Sequence, residues 1–127
     1  MASIQKINSP ERPQKPIYSH AVKVTGPGLI FLSGQVPVDK EGNPVPGDVQ
    51  AHTKQCLSNL TDVLKVANSS WDKVVKVNIY LKNMDDFDRV NETYIQFVPE
   101  PRPARTCIQA GRLPNDFDVE IEAIAAA

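Results

Sequence analysis

The chain has 127 residues, and its 14 Lys and Arg against 15 Asp and Glu leave a net charge of −1. A domain of that length buries roughly 65–70% of the surface its unfolded chain exposes, so no disulfide or metal staple is required. The balanced charge and the lack of Lys/Arg runs remove the electrostatic basis for binding nucleic acid or an anionic membrane, and no apolar run is long enough to span a bilayer.

Met1 to Pro16 is polar and Pro-punctuated, carries Lys6, Glu11, Arg12 and Lys15, and contains no apolar signal-peptide core. With only two cysteines, Cys56 and Cys107, this predicts a reducing, cytoplasmic setting with free thiols; mitochondrion and nucleus are the other compartments compatible with it. Short strands are expected near Ile4–Ile7 and over Ala21–Val24, followed by a Gly26-Pro27-Gly28 turn. Leu29-Ile30-Phe31-Leu32-Ser33 fits a strand buried on both faces, and 39–47 is a Gly- and Pro-rich loop.

Asp48 is a good helix N-cap. Behind it, Val49, Thr53, Cys56, Leu57, Leu60, Val63, Leu64 and Ala67 recur at helical spacing over roughly five turns. Cys56 on that stripe reads as a buried small hydrophobe. Val74–Leu81 is β-branched and partly alternating, a strand. Asn83 or Asp85 caps a second helix with Phe87, Val90, Tyr94 and Phe97 on one face; Asp85 and Asp86 are first-turn charges favoured by the helix dipole. Pro99, Pro101 and Pro103 enforce an extended stretch, and Ala104–Ala110 and Phe117–Ala125 are the last strands.

The order β-β-β-α-β-α-β-β over one domain, 1–127, predicts an α+β fold: one mixed sheet of about six strands with two helices on one face. The other face, taken to carry Ile30, Leu32, Ile79 and Val119, is apolar enough to call for a second subunit as cover.

His20, His52, Cys56 and Cys107 share no metal-ligand spacing, and no glycine-rich loop precedes a helix. Nucleophilic catalysis by Cys107 needs a base that is not evident nearby. Arg105, at the start of a strand, is expensive to bury unpaired and offers a planar fork for a carboxylate. It either forms a structural ion pair with Glu120 or Glu122, or anchors an anionic ligand beside a carboxylate able to handle a proton. Gly34, in Ser33-Gly34-Gln35, permits close backbone approach by a ligand or marks a simple bulge. Tyr18 either presents its hydroxyl to a cleft or packs, and Asn91 is polar beside an apolar helix stripe.

Taken together, Tyr18-Ser19-His20-Ala21-Val22, Phe31-Leu32-Ser33-Gly34-Gln35-Val36-Pro37, Val90-Asn91-Glu92-Thr93-Tyr94, Pro103-Ala104-Arg105-Thr106-Cys107 and Glu120-Ile121-Glu122-Ala123-Ile124-Ala125 resemble the signature segments of the RidA/YjgF reactive-intermediate deaminases, from about residue 5 onward. The short cytosolic fungal members are the most similar. The resemblance implies a chorismate-mutase-like fold of the bacillary type and a homotrimer with three clefts between subunits. It implies cofactor-independent hydrolysis of 2-imino acids or enamines, released by pyridoxal-phosphate enzymes, to 2-oxo acids and ammonia. It assigns Arg105 to the substrate carboxylate and Glu120 to the attacking water. Cys107 supplies backbone hydrogen bonds, and Tyr18, Ser33, Gly34 and Asn91 line the cleft. The sequence departs from the common pattern at Ile17, at His20 and at Arg102, which adds a cation near the expected cleft mouth. The alternative is a protein of another class that binds small ligands without turnover, or acts on translation or RNA as described for some relatives.

Overall fold

The computed structural model describes residues 3–8, 10–11, 14–26 and 28–127, and of residue 21 the backbone alone. The expected elements occur in the expected order: β1 (Ser3–Ile7), β2 (Ala21–Thr25), β3 (Leu29–Gln35), α1 (Val49–Val66), β4 (Val74–Leu81), α2 (Phe87–Phe97), β5 (Ala104–Gln109) and β6 (Val119–Ala126). Pro27, at the centre of the expected turn, lies outside the described residues; the glycines flanking it have φ of +114° and +89°, a region that favours glycine.

The strands do not form one six-stranded sheet. β3, β6, β4 and β5 make a four-stranded sheet in that order, parallel only between β4 and β5, while β1 and β2 form a separate antiparallel ladder. Alternation of apolar and polar residues specifies which face a strand buries; it carries no information on which edges pair.

Both helices cover one face of the four-stranded sheet. α1 starts at Asp48, whose carboxylate accepts from the Ala51 N–H at 2.9 Å and is held below its usual range mainly by that bond. Val49, Thr53, Cys56, Leu57, Leu60 and Leu64 are its buried stripe; Val63, at the margin, is exposed. Before α2 the Asn83 side chain accepts from the Asp85 N–H, capping the 3-10 turn Met84–Asp86. Burial pushes the Cys56 thiol far up, as expected for an inert core residue.

The sheet's two faces differ from the expectation. Val77, Ile79 and Leu81 of β4 and Val119, Ile121, Ala123 and Ala125 of β6 all point at the helices. Ile30 lies opposite Ala125 and Leu32 opposite Ala123, so Ile30, Leu32, Ile79 and Val119 belong to the helix-covered core and not to the outer face. Strict period two dictates this once the register is set. The outer face instead mixes Phe31, Ile124 and Ile108 with Lys76, Asn78, Tyr80, Glu120 and Glu122, and Phe31 there is 73% exposed.

The 36–47 loop is tied down by side chains. Asn59 Nδ2 donates to the carbonyls of Val36 and Val38, and the His52 ring nitrogens face the Asp118 carboxylate at 2.8 Å and the Val45 carbonyl at 2.9 Å.

Ile79 is fully buried between β5 and β6. Ile79→Ala is expected to cost about 2–5 kcal/mol in urea unfolding, whereas Val66→Ala, at an 86% exposed site, stays within about 0.5 kcal/mol.

Candidate active site

The expected extended run over the prolines is interrupted: the chain bends at Glu100 and Pro101, which are joined by a cis peptide, before it enters β5. There Arg105 lies opposite Val77 and Cys107 opposite Ile79, so both side chains point to the helix side. α2 meets them with Phe87, Asn91 and Tyr94, whose spacing stacks them on one stripe. Asn91 Oδ1 accepts from Arg105 Nη2 at 2.6 Å. The guanidinium carbon is 4.8 Å from the Tyr94 ring centroid and 5.7 Å from that of Phe87, contacts of roughly 0.5–2 kcal/mol each.

Arg105 has no carboxylate partner: the ion pairs among the described residues join His52–Asp118, Lys82–Asp116, Arg89–Asp48, Arg89–Asp86 and Arg102–Glu100. Its Nη1 is buried without a hydrogen-bond partner, as is the Tyr94 hydroxyl. Burial lowers the Arg105 pKa, opposed by nearby Tyr94, Cys107 and Tyr18. The structural pairing with Glu120 or Glu122 does not occur, because both carboxylates project from the opposite face of the sheet. Burial raises the Cys107 thiol, with Arg105 opposing; this is the reverse of what a nucleophilic thiolate requires.

A second group forms on that opposite face. The register shifts between Leu32 and Gln35, so Ser33-Gly34 is indeed a bulge. Gly34 also has a steric duty: a Cβ there would lie 2.5 Å from Glu120 Oε2 and 3.0 Å from its Cδ. Glu120 is pushed above its ordinary pKa, first by burial and then by Glu122. Glu122 accepts from the Tyr80 hydroxyl at 2.5 Å, and that bond raises Tyr80.

One chain therefore assembles two half-sites. Arg105 and Asn91 stand together, Cys107 shares the strand face of Arg105, and Tyr18 lies nearby. Gly34 and Glu120 stand together across the sheet, with Ser33 next to Gly34 in the chain. Phe87 and Tyr94, which sandwich the guanidinium, read as core from sequence; the signal was their i, i+4, i+7 stripe with Asn91. Arg102 is not a free cation at a cleft mouth, since its guanidinium is spent on three backbone carbonyls and Glu100. Among the described residues no three His, Cys, Asp or Glu converge on a metal position, and no helix is long and apolar enough to cross a membrane.

The family model described as Endoribonuclease L-PSP matches residues 9–127. The chain belongs to the RidA/YjgF family. Protein mmf2, mitochondrial, of Schizosaccharomyces pombe is 50% identical over 112 residues, 86% of each chain. The Escherichia coli 2-iminobutanoate/2-iminopropanoate deaminase is 40% identical over 100 residues, 76% of this chain and 78% of that one. The crystal structure of RidA from an Antarctic Psychrobacter matches with a TM-score of 0.75 at 32% identity, over 97% of this chain and 99% of that one. The chorismate-mutase-like α+β fold is thus common to this chain and its RidA-family neighbours.

Because its folded pKa is raised, Glu120 binds more protons in the folded than in the unfolded state as pH passes its ordinary value. Stability therefore falls as pH rises through that window. Glu120→Gln is expected to raise the melting temperature at neutral pH, and the advantage should vanish below about pH 4, where both states are protonated. Thermal unfolding of both proteins across pH checks this.

Proposed function

We propose that the chain hydrolyses 2-imino acids or their enamine tautomers, such as 2-iminobutanoate and 2-iminopropanoate, to 2-oxo acids and ammonia. The observation that carries this reading is the Arg105 guanidinium, partly buried yet without a counter-ion, its Nη1 unpartnered. Leaving a buried cation unpaired costs several kcal/mol, and a ligand carboxylate is the anion that recovers it. Asn91 holds Nη2 and so sets the plane of the fork for two-point recognition.

The protonated imine is already electrophilic, so the site mainly positions it and a water. Glu120, made more basic by burial and by Glu122, accepts a proton from water as its oxygen bonds to C2 and the C=N π pair moves to nitrogen. The proton returned to nitrogen makes ammonia the leaving group. The C–N bond then breaks, and the C2 hydroxyl loses its proton to become the carbonyl. Tyr18, Ser33, Gly34 and the Cys107 backbone line the cleft.

This chemistry needs both half-sites in one cleft, and a single chain holds them on opposite faces. A homotrimer in which the Glu120 face of one subunit meets the Arg105 edge of the next resolves that separation. Two features support it: β5 is an edge strand of its sheet, and the outer face carries the largely exposed Phe31.

Threonine dehydratase, which generates 2-iminobutanoate, with semicarbazide as trap makes the test. Wild type should suppress semicarbazone formation, and Arg105→Ala should lower kcat/KM by about 100-fold or more with fold and oligomer intact; equal turnover in the two proteins removes the anchor. Arg105→Lys should rescue little, since a point charge does not reproduce the fork. Phe31→Glu should dissociate the oligomer in sedimentation and abolish turnover together; monomers with full turnover would refute the shared cleft.

A further inference from the structure

Arg102 holds more of the site together than its place outside both half-sites suggests. Its side chain is only 9% exposed, while its one charged partner, Glu100, is 75% exposed, so that ion pair contributes little. The rest of the fork serves backbone carbonyls: Nη2 donates to Ile95 at 2.7 Å, Nε to Val98 at 3.1 Å and Nη1 to Pro16 at 2.8 Å. Ile95 and Val98 end α2, where carbonyls lack intrahelical donors. The residue four beyond Ile95 is Pro99, which has no N–H to offer. A cation there also complements the helix dipole.

Pro16 brings in a third element. Two residues on is Tyr18, and then Ser19, whose N–H donates to the Pro103 carbonyl at 3.1 Å and whose hydroxyl donates to the Arg102 carbonyl. One guanidinium thus joins the end of α2, which carries Asn91 and Tyr94, to the segment bearing Tyr18 and to the strand that reaches Arg105 three residues later. Tyr18 borders a cavity of about 390 Å³ shared with Ser19 and Arg102, so close packing does not hold it.

We propose that Arg102 is a positioning residue that clamps the Tyr18 segment against the Arg105 strand and so sets the geometry in which the ligand is bound. This rests on the reading of Arg105 as the ligand's anchor. Lysine replaces it only in part, because three acceptors in two separate segments need the planar fork.

Wild type, Arg102→Ala and Arg102→Lys are compared in steady-state turnover of 2-iminobutanoate, in binding of 2-oxobutanoate, and in hydrogen exchange over residues 14–20. For Arg102→Ala the expected result is exchange at Tyr18 and Ser19 about tenfold faster, and KM and the 2-oxobutanoate Kd raised about tenfold with kcat within about threefold. Arg102→Lys should rescue only in part, and it decides the matter if the alanine variant does not fold. A lower melting temperature with unchanged KM, Kd and exchange would reduce Arg102 to a helix cap and overturn the proposal. If wild type itself neither turns over the imine nor binds the oxo acid, the proposed function fails on its own. Exchange at Tyr18 then decides the clamp, and no acceleration overturns it.

Discussion

The structure turns on an arginine buried without an anion. Desolvating a guanidinium is tolerable only when its N–H groups find acceptors and its charge a counterweight. Asn91 supplies one acceptor, and the faces of Tyr94 and Phe87 supply a diffuse negative potential. Neither neutralises the charge. The neighbourhood holds that deficit in place: the α2 stripe on one side, β5 on the other, and the Arg102 fork at their junction. The fold is stable enough elsewhere, in the Leu57, Leu60, Ile79 and Ile121 core, to carry it.

Glu120 is the complementary anomaly. Burial and Glu122 push its carboxyl up, while burial pulls Arg105 down. Two titratable groups displaced in opposite directions, one anionic in role and one cationic, are the elements of a site that binds an anion and moves a proton. Within one chain the sheet separates them, and a Cβ at Gly34 would force the Glu120 carboxylate to shift from its place. In the proposed trimer, a cleft shared between subunits brings the two groups together.

Much of this was legible beforehand. Asp48 as a cap, the α1 stripe ending near Leu64, the buried Cys56 and the shared face of Arg105 and Cys107 all follow from periodicity and local chemistry, since they depend only on residues close in the chain. The five signature segments named the family. Of the two roles left open for Gly34, the structure shows the bulge, with the Glu120 side chain lying beside its backbone.

Relations between distant segments were decided by the tertiary structure. Strand faces follow from alternation, but which edges pair does not, so the detached β1–β2 ladder was not foreseeable. Assigning Ile30, Leu32, Ile79 and Val119 to the outer face failed because parity is fixed only by the register between β3, β6 and β4. Arg102 looked like a free charge since its acceptors are carbonyls of Pro16, Ile95 and Val98, groups every residue has and no sequence pattern marks. The Arg105 ion pair with Glu120 or Glu122 was likewise excluded within the chain by the sheet: it puts them on opposite faces, a relation no spacing along the chain encodes.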